Sequence, residues 1–130
     1  YEILLCDWSS DVCSSDLFWT SESGYWRVRP STPETDQEPA PDTPTVHLEV
    51  LISHPEGYSE VYLGTVFANR VELATDAVLR TETGAHVSAG HRLYGLFGDN
   101  RETLGYAWDM VARGHDLRSY MSAQLKQVGT

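Results

Sequence analysis

Five histidines, Ser122, a scatter of strand acids and a set of large aromatic rings are the candidate side chains for chemistry in this chain. Metal ligation by imidazole needs donors at close, regular spacing. His47, His54, His86, His91 and His115 show no such spacing. His54 precedes Pro55 and reads as a turn residue; His86 lies in a loop. His115 sits in a Gly114-His115-Asp116 turn, and reaches a pocket only if that turn folds over it. Ser122 has no visible base, so acyl transfer is unsupported. Glu49, Glu60, Glu72, Asp76 and Asp109 form no paired-carboxylate motif and are expected to face solvent. No glycine-rich phosphate loop appears. What remains is aromatic. Trp19, Trp26, Trp108, Tyr94 and Tyr106 offer broad apolar faces, which line a core or stack on a flat apolar ligand. Met110 fills a gap or touches such a ligand.

The first 17 residues read differently from the rest. Asp7–Leu17 (DWSSDVCSSDL) resembles, codon by codon, the translation of a common short-read sequencing adapter. Residues 1–17 are therefore expected to be a non-native, adapter-derived segment that makes no stable packing with the fold. Both cysteines, Cys6 and Cys13, lie in it, so residues 18–130 carry no thiol, no Cys-based zinc site and no disulfide. Glu2, Asp7, Asp11 and Asp16 take −4 of the net charge of −10, and −6 remains for 18–130. No basic stripe exists, which argues against a nucleic-acid partner. No apolar run approaches membrane-spanning length.

The elements that must position these residues are strands. Residues 30–45 (PSTPETDQEPAPDTPT) are too polar to pack and form a long loop within a single domain of 18–130. In Val46–Ser53, Val46, Leu48, Val50 and Ile52 share one face by period two. Tyr58–Phe67 and Arg70–Leu79 follow, joined by Ala68-Asn69. His91–Phe97 and Thr103–Val111 flank Gly98-Asp99-Asn100, a hairpin signal. Leu117–Val128 closes the series as a strand, with a short helix the alternative for its last part. Strands joined by short turns predict an all-β, antiparallel meander of the kind that closes into an up-and-down β-barrel around one small ligand.

The ordered motifs resemble the nitrobindin family. Glu22-Ser23-Gly24-Tyr25-Trp26-Arg27 is similar to that family's Glu-Thr-Gly-Phe-Trp-Arg segment. His54-Pro55-x-Gly57, Glu72–Val78, Arg92-Leu93-Tyr94-Gly95, Tyr106-x-x-Asp109-Met110 and Leu117-x-x-Tyr120-Met121-x-Ala123-x-Leu125 follow in the family's order. The resemblance covers nearly all of 18–128. It implies a lipocalin-like (calycin) barrel related to fatty-acid-binding proteins, here a fragment incomplete at its N-terminus. The family's Gly-x-Trp-x-Gly-x-Gly segment is absent.

The resemblance also implies haem b as cofactor and peroxynitrite isomerisation as activity, in a cytoplasmic protein. The family's axial histidine has no counterpart: Tyr120 stands at that position, as in ferric nitrobindin-like members. Tyr120 reads either as a barrel-lining tyrosine that packs its ring and hydrogen-bonds its hydroxyl, or as the candidate iron ligand and cofactor contact, since a tyrosine phenolate can ligate ferric haem. That requires its pKa to fall, with Arg118 available on the same face. His91 stands where the family often carries a basic residue; it is the candidate partner of a haem propionate, or equally a solvent-facing strand histidine. The expected function is binding of ferric haem b or a related apolar ligand, with isomerase activity impaired. The alternative is a non-enzymatic carrier or sensor of a small hydrophobic molecule.

Overall fold

The computed structural model describes residues 2–5, 20–30 and 45–127. They form eight strands: β1 (Glu2–Leu5), β2 (Ser23–Val28), β3 (Val46–His54), β4 (Tyr58–Phe67), β5 (Arg70–Arg80), β6 (Val87–Phe97), β7 (Thr103–Ala112) and β8 (Arg118–Lys126). β2 through β8 pair consecutively and antiparallel in one sheet, and β1 pairs with the far edge of β8. This is the strand order of an up-and-down barrel with its seam between β1 and β2. No pairing joins those two strands among the described residues, so the sheet is open there.

Period-two patterning builds the strands. In β3, Leu48, Val50, Ile52 and His54 are buried, while Leu51 and Ser53 are exposed. The expected shared face of β3 is therefore the buried one, although Val46 at its end is exposed. β4 matches its expected bounds residue for residue. The turn into it needs Gly57, whose φ of +84° only glycine adopts without cost. β6 begins four residues before its expected start. Thr75 in β5 explains the extension: its hydroxyl donates to the Gly90 carbonyl at 2.8 Å and accepts from the Gly90 N–H at 2.6 Å, holding the strand's first part in place. β8 is strand throughout.

Glu2–Leu5 differ from the expectation that residues 1–17 stay apart from the sheet. They pair with Ala123–Lys126 in register Glu2↔Lys126 through Leu5↔Ala123. The physical reason is general: an unpaired edge presents N–H and C=O groups to any extended segment, whatever its sequence. Trp8, Leu17 and most of the Pro-rich loop lie outside the described residues.

Two apolar clusters make the core. Leu48, Val50, Ile52, Tyr62 and Leu73 form one; Tyr58, Val87, Trp108 and Met110 form the other. Polar side chains with almost no exposure, His54, Glu60, Arg92 and Thr103, are buried as well.

Candidate functional site

An irregularity positions Tyr120. Trp108 pairs with Met121 and Asp109 with Ser119, so Tyr120 is the extra residue of a bulge. A bulge takes a side chain out of strict alternation and re-aims it. Here the Tyr120 ring meets Trp108 edge-on, with centroids 5.0 Å apart. Both rings, with Tyr58 and Met110, line a cleft of about 430 Å³ at the end of the sheet where β3 turns into β4. Glu56, His86, His115 and Arg118 also border it. The Gly114-His115-Asp116 turn thus does reach the cleft.

His91 does not. It neighbours Arg92 on β6 and so points to the opposite face. Its Nε2 lies 3.0 Å from Glu72 Oε1, on the outside of the sheet. The fold does not bring His91 and Tyr120 together. A larger cleft, about 610 Å³, lies at the other end of the strands beside Arg70, Phe97 and Gln124, and neither residue lines it. Among the described residues no group of three or more His, Cys, Asp or Glu is placed to hold a metal ion.

The Tyr120 phenol is shifted upward, first by burial and then by the Glu56 carboxylate. Arg118, expected to lower it, is not among the groups that move it. The phenol stays neutral at ordinary pH, and a phenolate there would need the charge of a metal. Tyr58 is likewise raised, by burial first and then by Glu60 and Glu56.

Behind the cleft wall lies a buried polar chain. The His54 ring stacks on Tyr58 at 4.2 Å and on Trp108 at 5.5 Å. Its Nε2 is 2.9 Å from Glu60 Oε2. Tyr62 Oη donates to Glu60 Oε1 at 2.9 Å and accepts from Arg92 Nε at 3.0 Å. Arg92 Nη1 donates to Glu22 Oε1 at 2.8 Å and to Tyr106 Oη at 3.1 Å. The guanidinium sits 4.0 Å above the Trp108 ring and 5.1 Å from that of Tyr62. Arg92 is 0% exposed and Glu60 1%. Burial is the largest single effect and works against the Arg92 charge, but the bond it donates to Glu22, together with the Glu22 charge and the Tyr106 and Tyr62 oxygens, outweighs it and keeps the guanidinium protonated.

The expectation that strand acids face solvent therefore fails at Glu60. A charge this deep is tolerated only when paired and hydrogen-bonded, and three partners supply that. Gly90 makes room for the chain: a Cβ there would stand 2.7 Å from Tyr62 Oη and 3.2 Å from Glu60 Oε1. Gly90→Ala is expected to cost about 1–3 kcal/mol through overpacking, read as a lower urea midpoint at unchanged slope. An unchanged midpoint would show that the network has slack.

Arg92, Glu60, Glu22 and Tyr62 were not foreseen as a site. A signal for two of them existed. Arg92 alternates with Tyr94 and Leu96, and Glu60 with Tyr58 and Tyr62, so each charge falls on an apolar face.

The model of the THAP4-like, heme-binding beta-barrel domain matches residues 6–127. The chain belongs to this family, that of the nitrobindins. The Ferric nitrobindin-like protein of Thermobifida fusca (strain YX) is 71% identical over 109 residues, 84% of this chain and 60% of that protein. The Peroxynitrite isomerase of Parafrankia sp. (strain EAN1pec) is 44% identical over 112 residues, 81% of this chain and 48% of that protein. The crystal structure of Rv2717c from M. tuberculosis matches with a TM-score of 0.61 at 25% identity, over 85% of this chain and 63% of that one. The chain thus spans less than two thirds of each of these relatives. Like the family, it is all-β. No helix among its described residues is long and apolar enough to cross a membrane.

Proposed function

We propose that this nitrobindin-family chain binds ferric haem b, or a related flat apolar ligand, in the cleft where Tyr120 meets Trp108. The observation that carries the reading is the bulge, which sets an oxygen donor against an aromatic wall. The residues fit such a group. Tyr58, Trp108 and Met110 supply apolar walls. Trp108 Nε1, buried without a hydrogen-bond partner among the described residues, is a donor that a bound acceptor would satisfy. Tyr120 would supply the oxygen that holds the iron. Bound ferric haem would supply the redox-active metal that peroxynitrite isomerisation uses, the activity after which relatives such as the Parafrankia protein are named. Because Tyr120 stands in place of histidine and its phenol resists ionisation, we assign this chain impaired isomerase activity. A cytoplasmic location belongs to the same reading.

Hemin titration tests it. A Soret band distinct from free hemin is expected, lost or shifted in Tyr120→Phe. A spectrum identical to free hemin throughout would sink the haem assignment. The upward shift of Tyr120 favours a second reading, a non-enzymatic carrier of a small apolar molecule. Tight binding of a neutral apolar dye with no hemin response would select it.

A further inference from the structure

We propose that Tyr62 is a redox site: it gives one electron to an oxidant in the Tyr120–Trp108 cleft and passes its phenolic proton to Glu60. The inference goes beyond ligand binding. It needs no haem, and it shares only the cleft with the reading above.

The first argument is the proton's destination. A phenol that loses an electron becomes a strong acid, so the loss is easy only where a base stands within hydrogen-bond reach. Tyr62 Oη donates to Glu60 Oε1 at 2.9 Å, and both side chains are buried. The exposed phenols of Tyr25 and Tyr120 have water beside them. Water is a far weaker base than a carboxylate, so Tyr62 gives up an electron more readily than they do. Glu60 Oε2 lies 2.9 Å from His54 Nε2, and the carboxyl that takes the proton keeps that partner.

The second argument is charge. Stripping an electron from a buried group normally leaves an unmatched positive charge, which is costly. Here the proton travels one hydrogen bond and stays in the cluster. Arg92 has the carboxylates of both Glu22 and Glu60 against it, at 2.8 and 3.5 Å. With a neutral His54 the cluster therefore holds an excess of negative charge, and removing one electron cancels it.

The third argument is the path. The Arg92 guanidinium lies 5.1 Å from the Tyr62 ring centre and 4.0 Å from that of Trp108. Trp108 lines the cleft and meets Tyr120 at 5.0 Å. Electron tunnelling falls exponentially with distance, and these contacts leave no long gap between cleft and Tyr62. Trp108 Nε1–H has no hydrogen-bond partner among the described residues. An oxidised Trp108 thus keeps its proton, remains a strong oxidant and draws the electron from Tyr62.

The step balances with an oxygen-centred radical, X•, as oxidant. X• takes the electron through Trp108 and becomes X−. The Tyr62 O–H bond breaks, its proton bonds to Glu60 Oε1, and a neutral phenoxyl radical and a neutral carboxyl group remain. A thiolate in the cleft reverses the step: it returns the electron and becomes a thiyl radical, while Glu60 returns the proton.

Flash photolysis of the full chain tests the proposal. A ruthenium polypyridyl photo-oxidant is tethered at Arg118→Cys on the border of the cleft, with Cys6→Ser and Cys13→Ser so that the label has one address. A phenoxyl radical is expected, with an infrared band of a protonated carboxyl group growing in step with it, both more slowly in heavy water. Tyr62→Phe, which keeps the ring, is expected to abolish both signals, and Tyr120→Phe to leave both. Glu60→Gln with native near-UV dichroism is expected to lose the radical. Should that variant not fold, the infrared band of the labelled parent decides. A radical that survives Tyr62→Phe and vanishes in Tyr120→Phe, or one that forms without the carboxyl band, would overturn the proposal. The photo-oxidant works without haem, so failure of hemin to bind removes the haem assignment alone.

Discussion

Arg92→Ala is expected to destabilise the fold by about 3–5 kcal/mol, the range seen when one partner of a buried ion pair is deleted. The loss arises less from Arg92's own contacts than from what it leaves behind. Glu60 would keep its burial and lose the cation at 3.5 Å, and the Tyr62 and Tyr106 hydroxyls would lose a donor. A void would also open beside Trp108, which now lies 4.0 Å under the guanidinium. Urea unfolding of the variant measures the loss. A deficit under about 1 kcal/mol would mean that water enters and solvates Glu60, a route open only to a loosely packed interior. Arg92→Met combined with Glu60→Gln and Glu22→Gln should recover most of the loss, since charges removed together leave none unpaired.

Raising the pH above about 10 is expected to unfold the protein cooperatively, at a pH where exposed tyrosines alone would do little. Tyr58, Tyr62 and Tyr106 are each shifted upward, with burial the largest cause in every case. The sign follows from linkage. Above about pH 10 the unfolded chain releases these phenolic protons while the folded chain keeps them, so the unfolded state binds fewer protons and stability falls as pH rises. Below that pH both states hold them, and the contribution is flat. Each such tyrosine can remove up to about 1.4 kcal/mol per pH unit, an upper bound that is smaller for Tyr58 at the cleft wall. Phenolate absorbance followed together with far-UV dichroism checks this. Ionisation of all the tyrosines in a chain that stays folded would show that the buried hydroxyls are accessible.

Much of the architecture was legible because its cause is local. Alternation in Val46–Ser53 announces a half-buried strand, and the Gly57 and Gly98 turns announce hairpins. Each feature acts over a few residues, so a short window contains its physics. The Tyr120 bulge could not be read that way. Leu117–Val128 has plain strand periodicity, and only pairing with β7 shows that one residue is in excess. At His91 the residue type left a propionate partner and a solvent-facing strand histidine both open. As a cation it suits a propionate, yet its parity on β6 sends it outward to Glu72 while its neighbour Arg92 turns in.

The sequence by itself determined the all-β meander, its hairpins, the buried face of β3 and, through its ordered motifs, membership of the nitrobindin family. These depend on patterning and on short-range turn chemistry. Tertiary structure alone decided which polar groups are inside. Glu22 and Arg92 are 70 residues apart, and Tyr62 and Arg92 are 30 apart, yet each pair is hydrogen-bonded. A carboxylate in a strand costs nothing when it faces water and a great deal when it does not. Its neighbours in sequence can mark an apolar face, as Tyr58 and Tyr62 do for Glu60, but only the partners that strand pairing brings across the sheet show how the buried charge is satisfied.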